Sequence, residues 1–202
     1  MQNAKIKRDI SSKAMLGPGN KYRTNDASVV AVFLSDLQIH KRIPKIIELE
    51  RKCNTRDAGY MSILPITSSF TINEDASSSG ASLSTMFKKV ATQIVSKTQP
   101  MPTIEHVQSW SYKNTSLLAQ TFVLGCTSYG LSTCIMEGFD AGRLKDVLNI
   151  PDRYAIPLTV AVGYEYEDEN GGGVDRVITP RLELEDVVFK DTFGVPLQLQ
   201  NS

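Results

Sequence analysis

Apolar and polar positions fall into several distinct rhythms along this chain, and each rhythm predicts an element. Ile6, Ile10 and Ala14 recur at four-residue spacing, which predicts a short helix ended by Gly17-Pro18-Gly19. Val29 to Leu34 is an unbroken, β-branched apolar run, the pattern of a strand buried on both faces in the middle of a layered sheet. Ile43, Ile46 and Ile47, with Glu50 on the polar side, predict an amphipathic helix that tolerates Pro44 in its first turn. Between 66 and 82 the character changes. Ser68, Ser69, Ser77, Ser78, Ser79 and Gly80 predict a polar, flexible segment. Leu83, Phe87, Val90 and Ile94 then restore a helical period, Pro100 and Pro102 break it, and Thr103 is placed to cap the next helix.

The longest helical candidate runs from Ile104 to Tyr129. Val107, Ser111, Asn114, Leu118, Phe122, Gly125 and Tyr129 repeat every three or four residues, with Ala119, Val123 and Cys126 in an adjoining stripe. So wide an apolar or small-residue stripe predicts a helix buried on several sides, central to the fold or to a subunit interface. Gly130 is suited to the left-handed residue that ends it. Leu131 to Ile135 follows as a short strand, then the loop Met136-Glu137-Gly138-Phe139, then a helix capped by Asp140 and carrying Leu144, Val147 and Leu148. Ile156, Leu158, Val160, Val162 and Tyr164 alternate with small residues, a strand pattern. Glu165 to Gly173 reads as a solvated acidic turn, and 182–202 as an extended tail whose Leu182, Leu184, Val187 and Phe189 need cover.

Composition narrows the function classes. At 41% hydrophobic over 202 residues, one globular domain spanning 1–202 can bury its own core without a disulfide or metal staple. The charge is balanced, 22 basic against 22 acidic, so there is no basic stripe for nucleic acid. Three cysteines without CxxC spacing point to a reducing compartment, and two histidines far apart offer few ligands for zinc. No apolar run is long enough to span a bilayer, and the first residues carry no signal-peptide core, so a cytoplasmic location is expected. GxGxxG, P-loop, GxSxG and HExxH motifs are all missing.

What chemistry there is lies in four segments. These are Trp110 to Phe122, Ser128-Tyr-Gly-Leu-Ser-Thr-Cys-Ile-Met-Glu-Gly-Phe-Asp140, Ile150-Pro-Asp-Arg-Tyr154 with the Val160–Tyr164 strand, and Thr179-Pro-Arg-Leu-Glu-Leu-Glu-Asp-Val-Val188. In order and spacing they closely resemble the nitroreductase family. The resemblance implies an α+β fold, a mostly antiparallel sheet flanked by helices around a long buried central helix. It also implies a homodimer binding FMN in clefts between subunits, reduced by NAD(P)H and passing electrons to nitroaromatics, quinones or similar small acceptors. The loop Ile135-Met136-Glu137-Gly138 would lie against the flavin, with the Glu137 N–H directed at N5. Independently of any resemblance, a glycine there lets main chain approach a planar ligand. Arg181 matches a phosphate-binding arginine, a role its bidentate fork suits. Thr179 stands where the family often has a second basic residue, and Ile135 where it often has proline.

Trp110 and Tyr112 are expected in the core more than in a cleft, and Cys134 as a small buried hydrophobe. The 66–82 segment matches the family's variable region, where a mobile cover can form. The arginine-rich helix and the Ser/Asn/Gln-Pro-Trp segment with which family members begin do not occur in this sequence. The expectation is therefore an N-terminally incomplete member with weakened grip on the phosphate, either an enzyme or a non-catalytic partner subunit.

Overall fold

The computed structural model describes residues 4–53, 56–73, 83–165 and 180–195. It divides into two units, 1–164 and 165–202. The first opens with helix α1 (Ala4–Asp9), which runs into a π-helical turn, Ile10–Ala14. The predicted spacing thus holds, but Gly17-Pro18-Gly19 does more than end a helix: it starts α2 (Gly17–Asp26). Proline suits a first helical turn because its missing N–H would have no partner there, and Gly17 supplies the positive φ of +69° needed just before it.

Strands β1 (Val29–Val32) and β2 (Ser35–Asp36) follow, then helices α3 (Ile43–Cys53) and α4 (Ala58–Thr71), which leads into β3 (Ile72–Asn73). Ser68 and Ser69 therefore belong to a helix, against the flexible reading of 66–82; the part of that segment at 74–82 lies outside the described residues. The rest of the unit is α5 (Leu83–Val95), β4 (Glu105–His106), α6 (Val107–Ser128), β5 (Ser132–Met136), α7 (Ala141–Leu148), β6 (Tyr154–Ala155) and β7 (Thr159–Gly163). Helix α6 is capped by His106, not by Thr103, and Gly130 at φ +69° follows its C-terminus as its sequence position predicts.

The principal sheet is antiparallel with strand order β1-β7-β5. The continuous apolar run at 29–34 is therefore an edge strand, with Val29 46% exposed, while the central place goes to β7. The two faces of β7 serve two cores. Val160 and Val162 pack with Leu158 against Ala119 and Cys126 of α6. Ala161 faces the other way, into a cluster of Ile10, Ala14, Met15, Met136, Leu144 and Ile156. Helices thus lie on both faces, which settles an α+β layered architecture. Only one stripe of α6 is buried in this chain (Val107, Ser111, Ala119, Cys126); Leu117, Leu118 and Leu124 are exposed.

A second, two-stranded pairing, β2 with β6, is fixed by a charged cluster. Asp36 Oδ2 accepts from Arg42 Nε and Arg153 Nη2, each at 2.9 Å, and Oδ1 accepts from the Gln38 N–H at 3.1 Å. Burial pushes the Asp36 carboxyl up. The hydrogen bonds from Arg42 and the Gln38 backbone, with the charges of both arginines, outweigh it and hold the group below its ordinary range. Ser111 Oγ donates to the Asp36 carbonyl at 2.8 Å and ties the cluster to α6.

In the second unit the described residues form a short helix, α8 (Leu184–Val187), in place of a fully extended tail, and then a tight turn in which the Phe189 and Phe193 rings meet at 4.7 Å between centres, tilted by 57°. Thr179 and most of the acidic turn lie outside the described residues.

Candidate functional site

The four loop residues singled out from sequence sit where β5 runs out of partners. Register on β7 ends at Met136 opposite Thr159, and the chain then turns through Glu137 and Gly138 into α7. Alternation along β5 decides which side chains point where. Ile135 shares the α6 face of the sheet with Val160 yet is 47% exposed, whereas Met136 is buried in the opposite core against Ile10, Ala14 and Leu144. Glu137 is exposed and Gly138 half-buried. The turn ends at Asp140, whose Oδ1 accepts from the Arg143 N–H at 3.0 Å as the predicted cap of α7.

The backbone of this turn is polarised in its hydrogen bonding. The Met136 carbonyl accepts from the buried Thr159 hydroxyl at 3.3 Å. That of Glu137 accepts from the Phe139 N–H at 3.0 Å, and that of Gly138 accepts from the Leu16 N–H at 2.9 Å and from Asn20 Nδ2 at 3.2 Å. Asp140 N–H donates to the Ala14 carbonyl at 2.8 Å, and Met15 bridges Phe139. All three carbonyls are therefore engaged. Among the described residues no acceptor takes the N–H of Glu137 or of Gly138. A turn so arranged leaves two backbone donors uncommitted, and these suit a ligand edge rich in lone pairs.

Gly138 also has a reason within the fold to be a glycine. A Cβ there would come within 2.2 Å of Asn20 Nδ2, so the missing side chain makes room for Asn20. Asn20, with the 14–20 segment behind it, is the site residue that sequence reading missed. It lies 118 residues from its partner, and no local motif announces so remote a contact.

Arg181 belongs to the second unit, where its guanidinium is exposed and Nη1 donates to the Pro180 carbonyl at 3.4 Å. Trp110 and Tyr112 are half-buried on α6, neither fully core nor free. Cys134 packs against the Met136 core cluster. An open cleft of about 390 Å³ lined by Glu50, Arg51, Arg56, Ala58, Met61 and Ser62 includes none of the predicted site residues. Among the described residues no three His, Cys, Asp or Glu side chains are grouped to hold a metal ion, and no helix is long and apolar enough to cross a membrane.

Comparisons with known proteins agree with this architecture. A family model described as the nitroreductase family matches residues 47–164, more than half of the chain. MhqN of Bacillus subtilis, classed as an NAD(P)H nitroreductase, is 40% identical over 53 residues, which is 26% of this chain and 26% of MhqN. The matched stretch thus spans about a quarter of that relative. Among solved structures, ydfN of Bacillus subtilis, classed as a nitroreductase, superposes with a TM-score of 0.63 at 18% identity, covering 94% of this chain and 74% of that one. A protein of the same class from Exiguobacterium sibiricum, solved in complex with FMN, gives a TM-score of 0.58 at 13% identity, over 90% of this chain and 70% of the other. At these identities the structural likeness speaks for the fold. With the sheet, the long helix and the turn all within or beside the matched region, this chain belongs to the nitroreductase family.

Proposed function

We propose that the chain is an FMN-dependent oxidoreductase subunit that takes electrons from NAD(P)H and passes them to nitroaromatic, quinone or similar small acceptors. The observation that supports this most directly is the pair of uncommitted backbone N–H groups at 137–138, in a family one of whose folds has been solved with FMN. An isoalloxazine edge carries nitrogen and carbonyl lone pairs and no matching need for acceptors along that stretch, so the chemistry of the donor set fits it. When bound, FMN supplies the hydride and electron chemistry; the protein's part is to bind, orient and exclude.

In this reading the N–H groups of Glu137 and Gly138 donate to the ring edge. Thr159, Phe139, Leu16 and Asn20 hold the three carbonyls so that the donors are fixed before the ligand arrives, and preorganised donors are the ones that stabilise developing charge. Ile135, exposed on the sheet face shared with Val160, offers an apolar contact beside them. Arg181 binds the phosphate by its fork, with Thr179 adding a hydroxyl. No side chain is asked to move a proton. Donor and acceptor use the same place in turn, which gives a ping-pong rate pattern. The working form is a homodimer, and the three unpaired cysteines fit a cytoplasmic, reducing setting.

A second reading is a partner subunit that uses the same fold without flavin, since a fold does not fix a function. The absorbance spectrum of the purified chain separates the two. Visible flavin bands that bleach on adding NAD(P)H are expected, with Arg181→Ala retaining at least tenfold less FMN, the worth of one charge-assisted hydrogen bond of about 1.5–3 kcal/mol. A colourless folded dimer that takes up no added FMN refutes the enzyme reading.

A further inference from the structure

Helix α5 is amphipathic, and its large apolar side chains are the exposed ones. Thr85 is buried and Lys88, Ala91, Thr92 and Val95 are half-buried, so the inward side is mostly small or polar. Met86, Phe87, Val90 and Ile94 point outward, with Phe87 76% and Ile94 63% exposed. At spacings of three and four residues they form one continuous stripe. The orientation is fixed from the inward side. Lys88 Nζ lies 5.8 Å from the centre of the Phe70 ring of α4, and Thr92 Oγ1 donates to the Lys88 carbonyl at 2.7 Å. Rotating the helix to bury the stripe would break the contact with Phe70 and expose Thr85.

Charge selects what the stripe fits. No acidic residue stands between Asp75 and Glu105, whereas Lys88, Lys89 and Lys97 do. Lys89 is exposed one turn from Met86, and Lys97 is exposed one turn past Ile94. Lysine stems lie along apolar surface while their ammonium groups stay in water, at the level of anionic headgroups. A second copy of α5 would bring its own lysines to the stripe and no carboxylate to meet them. A lipid leaflet with anionic headgroups supplies both hydrocarbon and negative charge. The helix has 13 residues, and no described helix is long and apolar enough to cross a membrane, so its place is in the plane of the interface.

We propose that α5 docks reversibly on an anionic lipid surface, with the Met86, Phe87, Val90 and Ile94 stripe entering the headgroup boundary and Lys89 and Lys97 facing the headgroups. Affinity then has two separable parts. Apolar burial holds the helix on any leaflet, and each lysine adds about a fivefold preference for an anionic one that salt screens.

Co-sedimentation of the full chain with phosphatidylcholine vesicles, with and without phosphatidylserine, tests this. The wild type is expected to pellet with the phosphatidylserine vesicles and to be released by added salt. Phe87→Ser is expected to bind at least tenfold more weakly, the worth of one large apolar side chain. The double variant Lys89→Gln, Lys97→Gln is expected to lose the preference for phosphatidylserine, and Leu49→Ser, a half-exposed apolar position on α3, to bind as the wild type does. Because Phe87 is so exposed, the fold of Phe87→Ser is expected to be intact, which circular dichroism checks. A wild type that stays in the supernatant with both vesicles, or a Phe87→Ser that pellets equally, overturns the proposal. So does a lipid-free sedimentation mass that falls in Phe87→Ser, which would assign the stripe to a second copy. None of these readouts involves bound flavin, so the outcome is separate from that of the oxidoreductase reading.

Discussion

Gly138 and Asn20 form the contact on which the candidate site turns, and it can be tested at the level of two atoms. A methyl group at 138 would meet Asn20 Nδ2 at 2.2 Å, and the backbone there has no positive φ that would itself forbid alanine. The cost of Gly138→Ala should therefore come from displacing the Asn20 amide and losing its bond to the Gly138 carbonyl, about 0.5–1.5 kcal/mol. The prediction concerns coupling. In an Asn20→Ala background the Gly138→Ala change should cost much less, because the clashing group is gone, and flavin affinity should fall by a similar factor in all three variants. Urea denaturation and flavin titration measure the two effects; strictly additive costs would refute the contact. Part of this residue-scale picture is legible in the sequence. The string MEGFD marks a tight turn followed by a capped helix, because Gly and Asp have local reasons to be there. The identity of what fills the space beside Gly138 is not local, and the string carries no trace of it.

At the scale of elements, the pairing of β2 with β6 depends on a single carboxylate shared by two arginines. The Asp36 side chain is 12% exposed, Arg153 30% and Arg42 53%, so the Arg153 bond is the better shielded and the Arg42 bond is discounted for solvent. Asp36→Asn is expected to lower stability by about 1.5–3 kcal/mol at neutral pH. The sign of the pH dependence follows from the depressed carboxyl. Its contribution is complete above the unfolded value of about 3.9 and is lost as pH falls through the lower folded value. Wild type and Asp36→Asn should thus differ at pH 7 and converge in acid, as denaturation midpoints measured between pH 7 and 2.5 would reveal. A constant gap across that range would place the effect elsewhere. Neither short strand is announced in the sequence, since two residues are too few to make a period. Arg42 and Arg153 come together only because β2 and β6 pair.

On the scale of the whole molecule, α6 is apolar around more of its circumference than this chain covers. Ala119 and Cys126 face β7, while Leu117, Leu118 and Leu124 are exposed. In the proposed homodimer this face is the association surface. Consistent with the homodimer proposed above, Leu118→Glu should convert a dimer to a monomer in analytical ultracentrifugation with little change in helix content by circular dichroism. An unchanged dimer would move the interface to another face. The sequence reads α6 as buried on several sides because periodicity counts apolar positions and not the surfaces that cover them. It reads 29–34 as a central strand for the same reason.

Local chemistry settles much of this protein without the fold: the helix over 107–128, the alternation over 159–163, the Asp140 cap, the left-handed Gly130 and the family to which these segments belong all follow from neighbours within a turn or a strand. Tertiary structure alone decides what those elements meet. It places β7 and not β1 at the sheet centre, gives the space beside Gly138 to Asn20, gathers two arginines on Asp36 and leaves two N–H groups of the 137–138 turn without a protein acceptor among the described residues. The physical reason is range. Periodicity, capping and turn preferences act over a few residues, whereas burial and hydrogen-bond satisfaction are fixed by partners that can lie more than a hundred positions away.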